Sequence, residues 1–154
     1  MTKAKQTANQ GFKALDKIAA DGEGAEHLLE CSVVGAKDDV TARKLAKAVI
    51  SSSLVKAAFF GKDANWGRIL CAMGYSGELF EPSKVSVSFT NSKGCIKVFD
   101  HGTPVDFDED KAKILLTEKE VGILVLLEEG EASGTAWGCD LTYEYVKING
   151  DYRT

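Results

Sequence analysis

The chain has 154 residues, enough for one domain that buries a core without disulfide staples. Its 19 basic and 23 acidic residues give a formal net charge of −4, and no run of Lys or Arg exceeds two, which excludes the electrostatic footprint of a nucleic-acid binder. No apolar stretch approaches the roughly 20 residues of a membrane span, and the opening MTKAKQTANQ lacks a signal-peptide core, so the sequence predicts a cytosolic protein.

In chain order, residues 6–20 read as a helix with Phe12, Leu15, Ile18 and Ala19 on one face, ended by the glycines of Asp21–Gly24. HLLECSVVG, residues 27–35, alternates as a strand that places Leu29, Cys31 and Val33 on one side. From about Asp39 a second helix carries Ala42, Leu45, Ala46, Val49 and Ile50 along one stripe. SSS closes it, and Leu54–Phe60 reads as a buried strand. Strand, helix and strand together suggest a right-handed crossover between parallel neighbours.

A loop from Gly61 to Trp66 then leads to a short helix ending near Gly74. KVSVSFT and CIKVF alternate around NSKG, a hairpin signal. DEDKAKILL reads as a short helix. EVGILVLLE, apolar on both faces, reads as a central strand. GTAWGCDLTYEYVKI reads as a long final strand in which Gly138 suggests a bulge or a close backbone approach. These elements predict an α+β fold, a mixed sheet with helices mainly on one face.

The thiols of Cys31, Cys71, Cys95 and Cys139 form no Cys-x-x-Cys pair, and neither His27 nor His101 has zinc-type spacing to them. They read as free and mostly buried, with no metal site. GKDANWGRIL, starting at Gly61, is the densest chemical stretch. Asn65 is a good N-cap, Gly67 allows close backbone approach, and a helix N-terminus after a loop is where anions bind. The plainer reading is that Asn65 caps, Trp66 fills the core and Arg68 pairs with a nearby acid.

Taken together, DGEGA, LVKAAFFGKDANWGRIL, TAWGCDLTYEYVKIN and the terminal DYRT resemble the C-terminal part of the β chain of the ornithine acetyltransferases, also called glutamate N-acetyltransferases. The resemblance runs from about Phe12 to Thr154 in four separated motifs. It departs from the family pattern at Ala64, Gly150 and Glu26, where the family usually has Pro, Ala and Thr. It implies the C-terminal domain of the ornithine acetyltransferase (DmpA/ArgJ-like) fold at residues 25–154, with residues 1–24 as the tail end of the preceding β-chain domain.

That resemblance implies an enzyme that moves an acetyl group from N-acetylornithine to glutamate in arginine biosynthesis, with acetyl-CoA as a possible further donor and no cofactor. In the family the precursor cuts itself before a threonine, which becomes the acetylated nucleophile, while oxyanion donors come from the α chain. The cleavage motif does not occur in this sequence. Thr2, freed by loss of Met1, has suitable chemistry but leads into a helix rather than a buried apolar strand. The resemblance therefore assigns no catalytic residue to this chain, and the chain by itself is expected to be inactive. It assigns substrate contacts to Glu23, Asn149 and Thr154, while Asn65, Trp66, Gly67 and Arg68 shape the region. Glu23 would meet a substrate ammonium, and Asn149 and Thr154 would hold the amino-acid head group. The implied partners are the α chain and the remaining β-chain segment, in an oligomer. The alternative is a stand-alone α+β module that binds a small amino acid or a protein partner without catalysis.

Overall fold

The computed structural model describes residues 22–151. The expected helix over 6–20 and the site residue Thr154 lie outside the described residues, as does most of the expected 1–24 segment. Alternation sets β1 (Leu28–Ala36): Leu29, Cys31 and Val33 are wholly buried, while Leu28, Glu30 and Ser32 on the other face are half-buried. Asp38 accepts the Thr41 N–H at 2.7 Å and starts α1 (Asp39–Ser51), which buries Ala42, Leu45, Ala46, Val49 and Ile50.

α1 packs over β1 and β6 (Ala132–Cys139). β6 meets it with Gly134, Ala136 and Gly138, which stand opposite Val33, Cys31 and Leu29. A Cβ on Gly138 would run into Ile50 Cγ2 of α1, so the close approach there is to a side chain. The irregularity in this pairing falls between Val34 and Ala36 rather than at Gly138.

Leu54–Phe60 is not a strand. It belongs to α2 (Ser53–Phe60), started by Ser52, whose hydroxyl accepts from the Val55 N–H. Val55, Ala58 and Phe59 are buried at helical spacing while Leu54 stays 61% exposed. A seven-residue apolar run reads equally as strand or helix, and here the hydroxyl cap decides it. The crossover expected between β1 and this segment is therefore absent. The strand parallel to β1 is β5 (Glu120–Leu126), with Leu28 opposite Glu120.

The loop then feeds α3 (Trp66–Gly74) as expected. β2 (Ser86–Asn91) and β3 (Gly94–Asp100) form the expected hairpin, with Asn91 opposite Gly94, and β4 (Thr103–Pro104) adds to its edge. Asp108 caps α4 (Glu109–Leu116), which packs on β2 and β3. The sheet order is β4-β3-β2-β5-β1-β6, parallel between β1 and β5 and antiparallel elsewhere, so β5 is central as expected.

The last expected strand is too long. β6 stops at Cys139, and residues 143–151 form α5 (Tyr143–Asp151). Thr142 fills its N-cap: the Tyr145 N–H donates to Thr142 Oγ1 at 3.0 Å and the Val146 N–H to the Thr142 carbonyl. No α5 residue is buried, so no apolar stripe announced it.

α1 covers the face of Leu29, Cys31 and Val33, and these side chains belong to one cluster of buried apolar residues. Phe59 meets Phe89 edge-on at 5.6 Å within it. The opposite face carries a polar chain: Trp137 Nε1 donates to Glu30 Oε2 at 2.9 Å, and Ser32 Oγ lies 3.1 Å from Thr135 Oγ1. Val34 and Leu126, opposite one another on that face, are 40% and 36% exposed. The four cysteines are free, but only Cys31 is buried; Cys71 and Cys95 are exposed and Cys139 is half-buried. Among the described residues no helix is long and apolar enough to cross a membrane.

Candidate functional site

Glu23 sits at the corner of a tight turn closed by the Ala25 N–H donating to the Gly22 carbonyl at 2.9 Å. The third residue of that turn, Gly24, has φ +80°, the type II arrangement that favours glycine. A Cβ there would also lie 2.8 Å from the Tyr145 backbone nitrogen, so the turn rests directly against the first turn of α5. The Glu23 side chain is exposed and makes no hydrogen bond or ion pair among the described residues.

Two residues of the segment that joins β6 to α5 hold this turn. Thr142, buried, donates its hydroxyl to the Gly24 carbonyl. Asp140, also buried, accepts the Glu26 and His27 N–H groups on Oδ1 at 3.0 and 3.1 Å and faces His27 Nδ1 with Oδ2 at 2.6 Å. A carboxylate only accepts, so His27 carries its proton on Nδ1. Burial pushes the Asp140 carboxyl up, but the hydrogen bonds from the His27 side chain and from both backbone N–H groups outweigh it and hold the carboxyl below the usual range.

Glu26, His27 and Asp140 offer ligand atoms within 4.8 Å of one another, a spacing that could hold a metal ion. The Asp140 oxygens and His27 Nδ1 are already committed to each other and to the backbone, which accounts for the cluster without an ion.

Asn149 lies on α5 rather than after a strand, and its amide donates to the Tyr145 carbonyl at 2.8 Å. The structure thus brings the Glu23 turn and the helix of Asn149 into one interlocked unit. Sequence reasoning missed the residues that lock it, His27, Asp140 and Thr142. The available signal was the polar Asp-Leu-Thr that interrupts the apolar pattern after Cys139.

The DANWGR stretch is a cap and a core contact. Asn65 Oδ1 accepts the Arg68 N–H at 3.0 Å and its amide donates to Asp63. Trp66 stacks on Phe99 at 4.8 Å. Arg68 donates to the Leu54 carbonyl rather than to an acid. A Cβ on Gly67 would meet only Asn65 Oδ1, at an ordinary 3.5 Å, so no close approach requires glycine there. A cleft of about 520 Å³ opens beside Leu28, Glu30, Thr90, Glu118 and Gly122, and none of the described residues expected from sequence to form the site lines it.

A model of the ArgJ family matches residues 4–154. The chain is 54% identical to the arginine biosynthesis bifunctional protein ArgJ of Caldanaerobacter subterraneus, over 89% of this chain and 34% of that one. It is 52% identical to a glutamate N-acetyltransferase of Methanopyrus kandleri, over 90% of this chain and 36% of that one. A crystal structure of the arginine biosynthesis bifunctional protein argJ from Bacillus halodurans matches the fold with a TM-score of 0.82 at 40% identity, over 99% of this chain and 74% of that chain. The chain thus spans about a third of the length of the curated relatives it matches.

Proposed function

The chain belongs to the ArgJ family, and from that premise we propose that it is the substrate-binding share of an acetyltransferase that moves an acetyl group from N-acetylornithine to glutamate in arginine biosynthesis. The observation that carries this reading is the exposed Glu23 carboxylate, without a partner among the described residues and presented by a turn that Thr142 and Asp140 hold from the other end of the chain. A carboxylate carried on a held turn suits an ammonium group through a charge-assisted hydrogen bond. Asn149 and Thr154 complete the contacts to the head group. The nucleophilic threonine and the oxyanion donors come from the rest of the enzyme, the upstream β-chain segment and the α chain.

These partners assemble with this chain in a cytoplasmic oligomer whose precursor cleaves itself. The exposed apolar side chains of Val34 and Leu126, neighbours on one sheet face, support such an assembly. The test is complementation. The 154 residues alone should give no transfer from N-acetylornithine to glutamate, and mixing with the remaining two thirds of the enzyme should restore it. Turnover by the pure chain, or none on reassembly into a folded complex, contradicts the reading.

A further inference from the structure

We infer that Thr142 is a positioning residue for the substrate site: its one hydroxyl, donating to the Gly24 carbonyl while accepting the Tyr145 N–H, fixes the Glu23 turn against the helix that carries Asn149. The inference rests on the proposed roles of Glu23 and Asn149 and names what sets their geometry.

A threonine hydroxyl has one proton to give and lone pairs to accept with. Thr142 uses both, and each bond ties a different element. The donated bond runs to the residue directly after Glu23, and the accepted bond caps the first turn of α5. Thr142 is 3% exposed, so its hydroxyl is largely shielded from competing water in both bonds. Gly24 supplies the second half of the joint. Its φ of +80° and the 2.8 Å separation between its would-be Cβ and the Tyr145 nitrogen show that glycine is what lets the turn sit this close to the helix.

Asp140 anchors the downstream side of the same turn by accepting the Glu26 and His27 N–H groups. Glu23 is thus gripped through residues 24, 26 and 27 by one short segment, residues 140–142, and that segment continues into the helix of Asn149. A side chain that meets substrate from an exposed turn gains affinity only when the turn is held, because a loose carboxylate must be ordered at the moment of binding.

The test uses the complete enzyme with Thr142→Val, which keeps the shape and removes the hydroxyl, Thr142→Ser, which keeps the hydroxyl, Glu23→Gln, and the double variant Glu23→Gln/Thr142→Val. KM and kcat are measured for N-acetylornithine and glutamate, with melting temperature alongside. The expected result is that Thr142→Val raises KM about tenfold with kcat within about threefold of the parent. Thr142→Ser should lie close to the parent, and the double variant should be little worse than Glu23→Gln alone, since both act on one contact.

A raised KM in Glu23→Gln with an unchanged KM in Thr142→Val, or full additivity of the two, overturns the inference while the reading of Glu23 stands. A fall in kcat alone, the signature of lost active protein, overturns it too, as does Thr142→Ser behaving like Thr142→Val. An unchanged Glu23→Gln enzyme overturns the substrate reading, and the inference falls with it.

Discussion

His27 Nδ1 lies 2.6 Å from Asp140 Oδ2, with both side chains buried, and this pair joins the start of β1 to the end of β6. Asp140 satisfies three donors at once. Asp140→Ala strands all of them, and the unpaired buried groups should cost about 2–4 kcal/mol in urea unfolding. Asp140→Asn should cost less, because its one acceptor oxygen still takes a backbone N–H and its amide can face a His27 that has moved its proton to Nε2. Equal losses in both variants would contradict this account.

The same carboxylate gives an acid-side signature. Its folded pKa is depressed, so its stabilisation is present above the unfolded value of about 3.8 and is lost as pH falls through the lower folded value. Below about pH 4 the parent should lose stability more steeply than Asp140→Asn, which has no proton to take up there. Parallel acid limbs would show that the pair does not contribute.

His101 should act in the opposite direction. Its ring reaches Glu128 through Nε2 and Asp100 through Nδ1, each at 3.0 Å. Both carboxylates accept, so only the imidazolium serves both contacts, and the Glu128 hydrogen bond, followed by the Glu128 charge and then Asp100, raises the pKa above 6.5. The tether is in place below that value and is lost as pH rises through the raised one. The exchange protection of the Gly102 amide, which donates to the Val85 carbonyl at 3.0 Å, should fall across this range in the parent and stay flat in His101→Gln. A flat parent profile would contradict it.

Cysteine reactivity should separate by environment. Burial, aided by the Glu30 charge, pushes the Cys31 thiol up to about 12, whereas Cys71 and Cys95 are exposed. At pH 8 an alkylating reagent should modify Cys71 and Cys95 quickly and Cys31 only on unfolding, read by peptide mass. Fast labelling of Cys31 in the folded chain would contradict its place beneath α1.

Much of this fold was legible because hydrophobic period and element type agree. Leu29, Cys31 and Val33 alternate, Ala42 to Ile50 repeat at helical spacing, and NSKG marks the hairpin. Two elements were misread for different reasons. Leu54–Phe60 is short and apolar enough to suit either period, and only the Ser52 cap distinguishes them. Tyr143–Asp151 buries nothing, so it carries no stripe and passed for a continuation of β6.

Of the candidate site, the sequence offered two contact residues through resemblance and none of their fastenings. Glu23 and Asn149 stood out through the resemblance of their motifs. Asp140 and Thr142 act on residues more than a hundred positions away, and no local pattern encodes such pairs. The DANWGR stretch shows the converse, since Asn65 and Trp66 are accounted for by a cap and a ring stack.

The central claim is that Glu23 is a substrate contact, and the most direct measurement is kcat/KM of the complete enzyme carrying Glu23→Gln. The side chain is exposed and nearly isosteric, so the melting temperature should not move. Losing a charge-assisted hydrogen bond to the substrate ammonium should lower kcat/KM for N-acetylornithine about ten- to a hundred-fold. An unchanged kcat/KM in a folded, assembled enzyme would contradict the claim and leave Glu23 as a turn residue.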